Sequence, residues 1–327
     1  MAAKTDPSRY KLNHTMLRVK DPQKSIAFYE LLGMKNIKTL PQSGFTLYFL
    51  AYDGPAAIST NKVWTDREGV IELTHNHGTE KEDTEEQRSF KYDSGNTTGH
   101  RGFGHVCISV DNLQAACHTL LGDKYDWVKK LDAGNMKHIA FVKDPDGYWV
   151  ELISFNDVEK TKGIEETDPV TYRMNHTMIR VKNIDASLAF YEDVLGMKVK
   201  RKSEHPGGKF NLYFLGYGDT PANSGTGANP LANTEGLLEL TWNYTLEGDK
   251  KVDAPEIYYN GNEAGAQGFG HICVTVDNLD AAFATFEKKV GEKVYWAKMP
   301  NVAWILDPDG YRIEILQNEG ISLRAGW

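Results

Sequence analysis

The chain is written twice, and an internal repeat constrains architecture before any local pattern does. Asn13-His14-Thr15-Met16-Leu17-Arg18-Val19-Lys20 returns as Asn175-His176-Thr177-Met178-Ile179-Arg180-Val181-Lys182, and Ile71-Glu72-Leu73-Thr74 returns as Leu238-Glu239-Leu240-Thr241. Gly102-Phe103-Gly104-His105-Val106-Cys107 returns at 268–273, and Asp144-Pro145-Asp146-Gly147-Tyr148 at 307–311. The order is collinear. Two homologous halves, 10–156 and 172–318, are expected, joined by a polar linker at 157–171. A length of 327 residues suits two domains of ordinary size.

Each half divides again. Residues 13–20 alternate like a strand. Asp21-Pro22 then offers an N-cap followed by proline at the first helical position, and the helix runs to Gly33. Strand patterns at 34–40, 45–52 and 70–76 complete the order βαβββ. The second quarter repeats it, with a strand at 104–110, a helix at 113–121 and strands near 125–130, 137–143 and 148–155. Asp144-Pro145-Asp146-Gly147 has the residues of a tight turn joining the last two. The fold expected is α+β, built from four βαβββ modules. The polar segments 79–100 and 245–267 are long for connections and read as solvated loops, of the kind that can also wall a site.

A formal charge of -8 leaves no basic field for a phosphate backbone or an anionic membrane, so neither nucleic acid nor membrane is an expected partner. Three cysteines, Cys107, Cys117 and Cys273, lack the spacing of a disulfide scaffold, and no apolar run of about 18 residues occurs. A cytoplasmic protein is the expectation.

Turns and cores explain the repeated glycines and apolar residues, but not four acids or imidazoles set into strands. Glu72 sits between Ile71 and Leu73, and Glu151 between Val150 and Leu152, so each points away from its apolar neighbours. His14 shares a strand face with Met16 and Arg18, and His105 with Phe103 and Cys107. Alone, each would be a solvated or hydrogen-bonded residue. Here one stands on the first or last strand of every module, in the order His, Glu, His, Glu, and the second copies are His176, Glu239, His271 and Glu314. Carboxylates and imidazoles converging on one buried point need a cation. Two nitrogens and two oxygens suit zinc, nickel, cobalt or iron better than magnesium or calcium, and they leave positions open for water or substrate.

Together, Asn-His-Thr-Met-Leu-Arg-Val-Lys-Asp-Pro, Glu-Leu-Thr-His-Asn, Arg-Gly-Phe-Gly-His and Asp-Pro-Asp-Gly-Tyr-Trp-Val-Glu resemble the glyoxalase I (lactoylglutathione lyase) family of the vicinal-oxygen-chelate superfamily, over about residues 10–318. The doubled chain is similar to the family's single-chain fungal-type form. This resemblance implies that the four modules pair as two glyoxalase-type domains, module one with module four and module two with module three. It implies one metal set of His14, Glu72, His271 and Glu314 and another of His105, Glu151, His176 and Glu239. Zinc is the implied metal, with nickel or cobalt as alternatives, since some members carry glutamine where this chain has His14 and His176.

The implied reaction isomerises the methylglyoxal–glutathione hemithioacetal to S-lactoylglutathione through an enediolate stabilised by the metal. Glu151 and Glu314 would be the bases, and glutathione is the implied co-substrate of a monomeric enzyme. The glutamyl clamp maps to Arg18, Asn76, Arg180 and Asn243, with Arg101 from module two. The loop for the glycine carboxylate resembles residues 129–137, with Lys129, Gly134 and Met136 as contacts. Module four departs from this pattern, with Gln267 in place of Arg101 and a shorter loop at 295–300. Both losses fall in the site of Glu314.

Two other readings share the architecture. An extradiol dioxygenase needs two histidines, one carboxylate and three open positions on iron, and the second carboxylate here would fill one of them. A non-catalytic ligand-sequestering protein would need neither metal set.

Overall fold

The computed structural model describes residues 4–318 apart from 56, 132, 135 and 219–227. The first module comprises β1 (Lys11–Arg18), a helix (Pro22–Leu31), β2 (Lys35–Pro41), β3 (Phe45–Ala51) and β4 (Val70–Asn76). The second comprises β5 (Phe103–Val110), a helix (Leu113–Ala115) that widens through Ala116–Leu121, β6 (Trp127–Lys129), β7 (Ile139–Lys143) and β8 (Trp149–Ser154). The third has β9 (Arg173–Val181), a helix (Ile184–Ala189) that widens through Phe190–Val194, β10 (Lys198–His205), β11 (Phe210–Gly216) and β12 (Leu237–Glu247). After β13 (Lys250–Asp253), the fourth has β14 (Phe269–Val276), a helix (Leu279–Val290), β15 (Val294–Trp296), β16 (Ala303–Leu306) and β17 (Arg312–Gln317).

Each module helix begins on a side chain that accepts otherwise orphaned backbone N–H groups: Asp21, Asn112, Asn183 or Asn278. The long connections hold more than loop. Residues 79–100 include a helix at Glu85–Ser89, capped by Thr84 and Gln87, and β13 forms a hairpin with the end of β12. The linker carries a short helix at Val158–Thr161 and a 3-10 turn at Pro169–Thr171.

Two sheets result, in the orders β15-β16-β17-β14-β1-β4-β3-β2 and β10-β11-β12-β9-β5-β8-β7-β6. The first joins modules one and four; the second joins modules two and three. The repeat unit in sequence is therefore not the sheet unit in space. At each centre two antiparallel strands meet, β1 with β14 and β5 with β9, and each is flanked by a parallel partner from its own module.

The Asp-Pro-Asp-Gly-Tyr turns join the sheets. Asp146 accepts the Lys20 N–H at 2.7 Å and the Ser25 hydroxyl at 2.8 Å, Asp144 accepts the Tyr29 hydroxyl at 3.0 Å, and the Tyr148 hydroxyl donates to the Arg18 carbonyl at 2.9 Å. The second half repeats this with Asp309 on Lys182, Asp307 on Tyr191, and Tyr311 on the Arg180 carbonyl. Between the sheets the Phe103 and Phe269 rings stack, with centroids 4.9 Å apart, and the hydroxyls of Thr15 and Thr177 bond to each other.

Burial pushes the Asp307 carboxyl up to about 7, and the nearby Asp309 charge adds to the shift. A carboxyl that stays protonated when folded but ionises when unfolded gives the folded state extra bound protons. Its contribution to stability is present at acid pH and is lost as pH rises from the ordinary carboxylate range toward 7. We expect wild type to lose stability relative to Asp307→Asn between pH 5 and 7, by up to about 1.4 kcal/mol per pH unit. Urea denaturation of both proteins at each pH measures this, and parallel profiles would show that Asp307 is ionised in the fold.

Candidate metal centres and substrate cavities

The four central strands of each sheet, adjacent in space, contribute one ionisable side chain apiece. In the first sheet these are Glu314 on β17, His271 on β14, His14 on β1 and Glu72 on β4; in the second, Glu239 on β12, His176 on β9, His105 on β5 and Glu151 on β8. One ligand-capable atom of each lies within 4.8 Å of those of the other three, and all eight residues are buried. His14 Nε2 is 3.0 Å from Glu72 Oε2, 3.3 Å from Glu314 Oε2 and 3.2 Å from His271 Nε2. His176 Nε2 is 3.0 Å from Glu239 Oε2, 3.2 Å from Glu151 Oε2 and 3.2 Å from His105 Nε2. Metal bonds of about 2.0–2.2 Å put neighbouring donors about 3–3.5 Å apart. Both sets therefore fit a divalent ion with nitrogen and oxygen ligands.

A bulge aims the first imidazole of each set. Leu12 pairs with Val274 and His14 with Cys273, so Asn13 is the extra residue in β1; Asn175 is the extra residue in β9. Each asparagine can then reach the ring beside it, Asn13 Oδ1 to His14 Nδ1 and Asn175 Oδ1 to His176 Nδ1, both at 2.7 Å. The asparagine amides are fixed in turn by carbonyls, those of Trp64 and Arg67 in one site and of Leu231 and Thr234 in the other. This arrangement leaves Nε2 of each ring facing the cluster. Gly104 and Gly270 are extra residues in β5 and β14, and a Cβ on either would clash with the sulfur of Met178 or Met16.

The glutamates are not equivalent. Thr74 donates its hydroxyl to Glu72 Oε1 at 2.8 Å, and Thr241 donates to Glu239 Oε1 at 3.1 Å. Two residues beyond Glu151 and Glu314 stand Ile153 and Leu316, so neither has such a partner. Burial opposes ionisation of Glu72, Glu151 and Glu314, but in Glu314 the hydrogen bonds from His14 and His271 outweigh it and hold the group at about 2. Glu72 and Glu151 are depressed further by the same competition. Burial also opposes charge on His14 and His176, yet the adjoining Cys273 or Cys107 and the glutamates raise both well above the usual imidazole value.

Each cluster opens into a cavity, of about 270 Å³ beside Glu314 and about 530 Å³ beside Glu151. Arg18 and Asn76 line the smaller; Arg180, Asn243, Arg101 and Met136 line the larger. Arg18 donates to the carbonyls of Gly268 and Phe269 and, at 2.9 Å, to Asn262 Oδ1; Arg180 donates to Gly102 and Phe103 and, at 2.8 Å, to Asn96 Oδ1. The long polar segments thus hold the arginines in place. Arg101 approaches Glu256 at 3.7 Å, whereas its counterpart Gln267 is not among the residues lining the smaller cavity. Lys129 and Gly134 are not on the wall either. The Lys129 ammonium donates to the carbonyls of Met136 at 2.7 Å and Ile139 at 2.8 Å, which holds its own loop closed. Asp132 and Asn135 of that loop lie outside the described residues. Asn13, Asn175, Thr74, Thr241, Trp64, Trp304 and Arg312 also belong to the sites, although neither the repeat pattern nor the family resemblance singles them out. The repeated Asn-His and the Thr two residues after Glu were visible signals for the first four.

The family model of the Glyoxalase/Bleomycin resistance protein/Dioxygenase superfamily matches residues 11–152 and 173–315. The chain is 45% identical to lactoylglutathione lyase of Schizosaccharomyces pombe, over 98% of this chain and 100% of that one. It is 41% identical to glyoxalase I of Saccharomyces cerevisiae, over 96% and 94%. The solved structure of glyoxalase I from Zea mays shares the fold, with a TM-score of 0.64 at 24% identity over 94% of this chain and 92% of that one.

Replacing Asn175 with alanine would leave His176 Nδ1 without its acceptor and the ring free to turn. We expect Asn175→Ala to lower divalent-metal affinity at that cluster by about 10–100-fold, read by competition with a chelating dye. An unchanged affinity would show that the imidazole is oriented by other contacts.

Proposed function

Because the chain belongs to the Glyoxalase/Bleomycin resistance protein/Dioxygenase superfamily, we infer that it is a lactoylglutathione lyase, glyoxalase I, acting in methylglyoxal detoxification. It converts the glutathione hemithioacetal of methylglyoxal to S-lactoylglutathione. Identity of 45% over the whole length of a lactoylglutathione lyase, with both His2Glu2 clusters intact, carries this reading. The two clusters also favour it over a dioxygenase, which would need one carboxylate fewer.

His14, Glu72, His271 and Glu314 would hold one divalent ion, and His105, Glu151, His176 and Glu239 a second. Zinc suits this donor set, as do nickel and cobalt. A bound ion would supply Lewis acidity, drawing off negative charge as it develops on the two vicinal oxygens of the substrate. Glu151 and Glu314 act as the bases, removing the proton from the carbon that bears sulfur and returning one to its neighbour. The oxygen left without a threonine partner supports this choice over Glu239 and Glu72. Arg18 and Asn76 in one cavity, and Arg180, Asn243 and Arg101 in the other, bind the glutamyl end of glutathione. Met136 and the loop of Lys129 and Gly134 border the glycine end.

Three buried thiols without a disulfide fit a reducing, cytoplasmic setting. Both sites are completed within one chain, which suits a monomer. No helix among the described residues is long and apolar enough to cross a membrane.

Thioester absorbance from methylglyoxal and glutathione tests the activity, and we expect two divalent ions per loaded chain. A value of one would remove one cluster from the assignment. Glu151→Gln together with Glu314→Gln should lower turnover by about two orders of magnitude or more, while each single variant retains the other site. Near-normal turnover in the double variant would refute these bases.

A further inference from the structure

The two cavities are built from matched positions, and two of their apolar mismatches lie together. On β16, Trp304 pairs with Glu314; on β7, Phe141 pairs with Glu151. The Trp64 carbonyl accepts the Asn13 amide at 2.9 Å, as the Leu231 carbonyl accepts the Asn175 amide at 2.8 Å. Trp64 therefore answers to Leu231, and Trp304 to Phe141. Much of the remaining apolar wall is the same in both, Phe45, Leu47 and Phe49 returning as Phe210, Leu212 and Phe214.

These mismatches have a direction. β1 and β4 run parallel, so Arg18 and Asn76, each four residues beyond a cluster residue, mark one end of the smaller cavity. Trp64, held against Asn13, marks the other. Anionic glutathione takes the arginine end. The group derived from the aldehyde, carried on the carbon next to the reacting one, is left with the end beside the imidazoles. There two indoles close in: Trp64 lies 4.3 Å from Phe49, and Trp304 lies 4.9 Å from His271, between ring centroids. The larger cavity has Leu231 and Phe141 in these places, and among the described residues its volume is about 530 Å³ against about 270 Å³.

We propose that the two sites divide 2-oxoaldehydes by size: the site of Glu314 takes hemithioacetals with small alkyl groups and rejects aryl groups, whereas the site of Glu151 takes both. This rests on the lactoylglutathione lyase reading. The test compares kcat/KM for the methylglyoxal and phenylglyoxal hemithioacetals in Glu151→Gln, which leaves the site of Glu314, and in Glu314→Gln, which leaves the other. The phenyl-to-methyl ratio should be at least about tenfold lower in Glu151→Gln, within the range a hydrophobic pocket can discriminate. Adding Trp64→Leu and Trp304→Phe should raise it toward that of Glu314→Gln. The reverse pair, Leu231→Trp and Phe141→Trp in Glu314→Gln, should lower it.

Calorimetry of the metal-loaded wild-type chain gives a reading independent of the bases. S-methylglutathione should bind at two sites per chain and S-benzylglutathione at one. Equal ratios in an active chain, or two sites for the benzyl conjugate, would overturn the division by size alone. A wild-type chain inert toward both aldehydes would overturn the functional reading and this proposal with it.

Discussion

Four ionisable side chains buried at one point in each sheet are the constraint around which the molecule is arranged. A buried carboxylate costs several kcal/mol unless an opposite charge and hydrogen bonds compensate it. Here each carboxylate faces imidazoles from two other strands, and the strands that carry them belong to different halves of the chain. Neither half could bury its own His and Glu with that compensation. The central antiparallel pairs, β1 with β14 and β5 with β9, bring the two half-sets together. In this sense the site and the fold have the same origin.

Crossing the halves would leave two sheets able to swing apart unless something fixed them within each half. The Asp-Pro-Asp-Gly-Tyr turns do so. A turn at the end of module two accepts backbone and hydroxyl donors from the strand end and helix start of module one, and its tyrosine returns a bond to the Arg18 carbonyl. Arg18 is thereby fixed from both sides, by Tyr148 on its carbonyl and by the carbonyls of module four on its guanidinium. The contact that joins the sheets also holds a wall of the cavity.

Much of this was legible in the residues. Alternation, N-caps and turn residues give the four modules, and an imidazole on the first strand and an acid on the last strand of each module give the eight cluster residues. What was hidden depends on geometry that has no sequence signature. A bulge inserts one residue and changes which neighbours a side chain can reach, so Asn13 beside the His14 ring could not be read from alternation. Trp304 reads as one more half-buried strand residue until its pairing with Glu314 is seen. Lys129 fits a carboxylate contact by resemblance, whereas its ammonium satisfies the carbonyls of its own loop. Local capping needs drew shorter pieces of structure out of segments that looked like plain loop, such as the helix Glu85–Ser89.

A site shared between identical subunits must be repeated without change, because one residue serves every copy. A site shared between two halves of one chain is free of that rule, and the drift is visible in charge as well as size. Arg101 lines the larger cavity, where module four would offer Gln267 to the smaller. Yet the smaller cavity has gained Arg312, two residues before Glu314, at the place where module two has Trp149. Arg312 lies on the strand that carries Glu314 and acts electrostatically on Arg18, as Arg101, on the segment before β5, acts on Arg180. The smaller cavity therefore still has a cation from module four beside Arg18, carried on a strand instead of on the segment that precedes one. Size and charge differ together, on side chains that one module contributes to one site only, while the eight residues of the clusters remain the same.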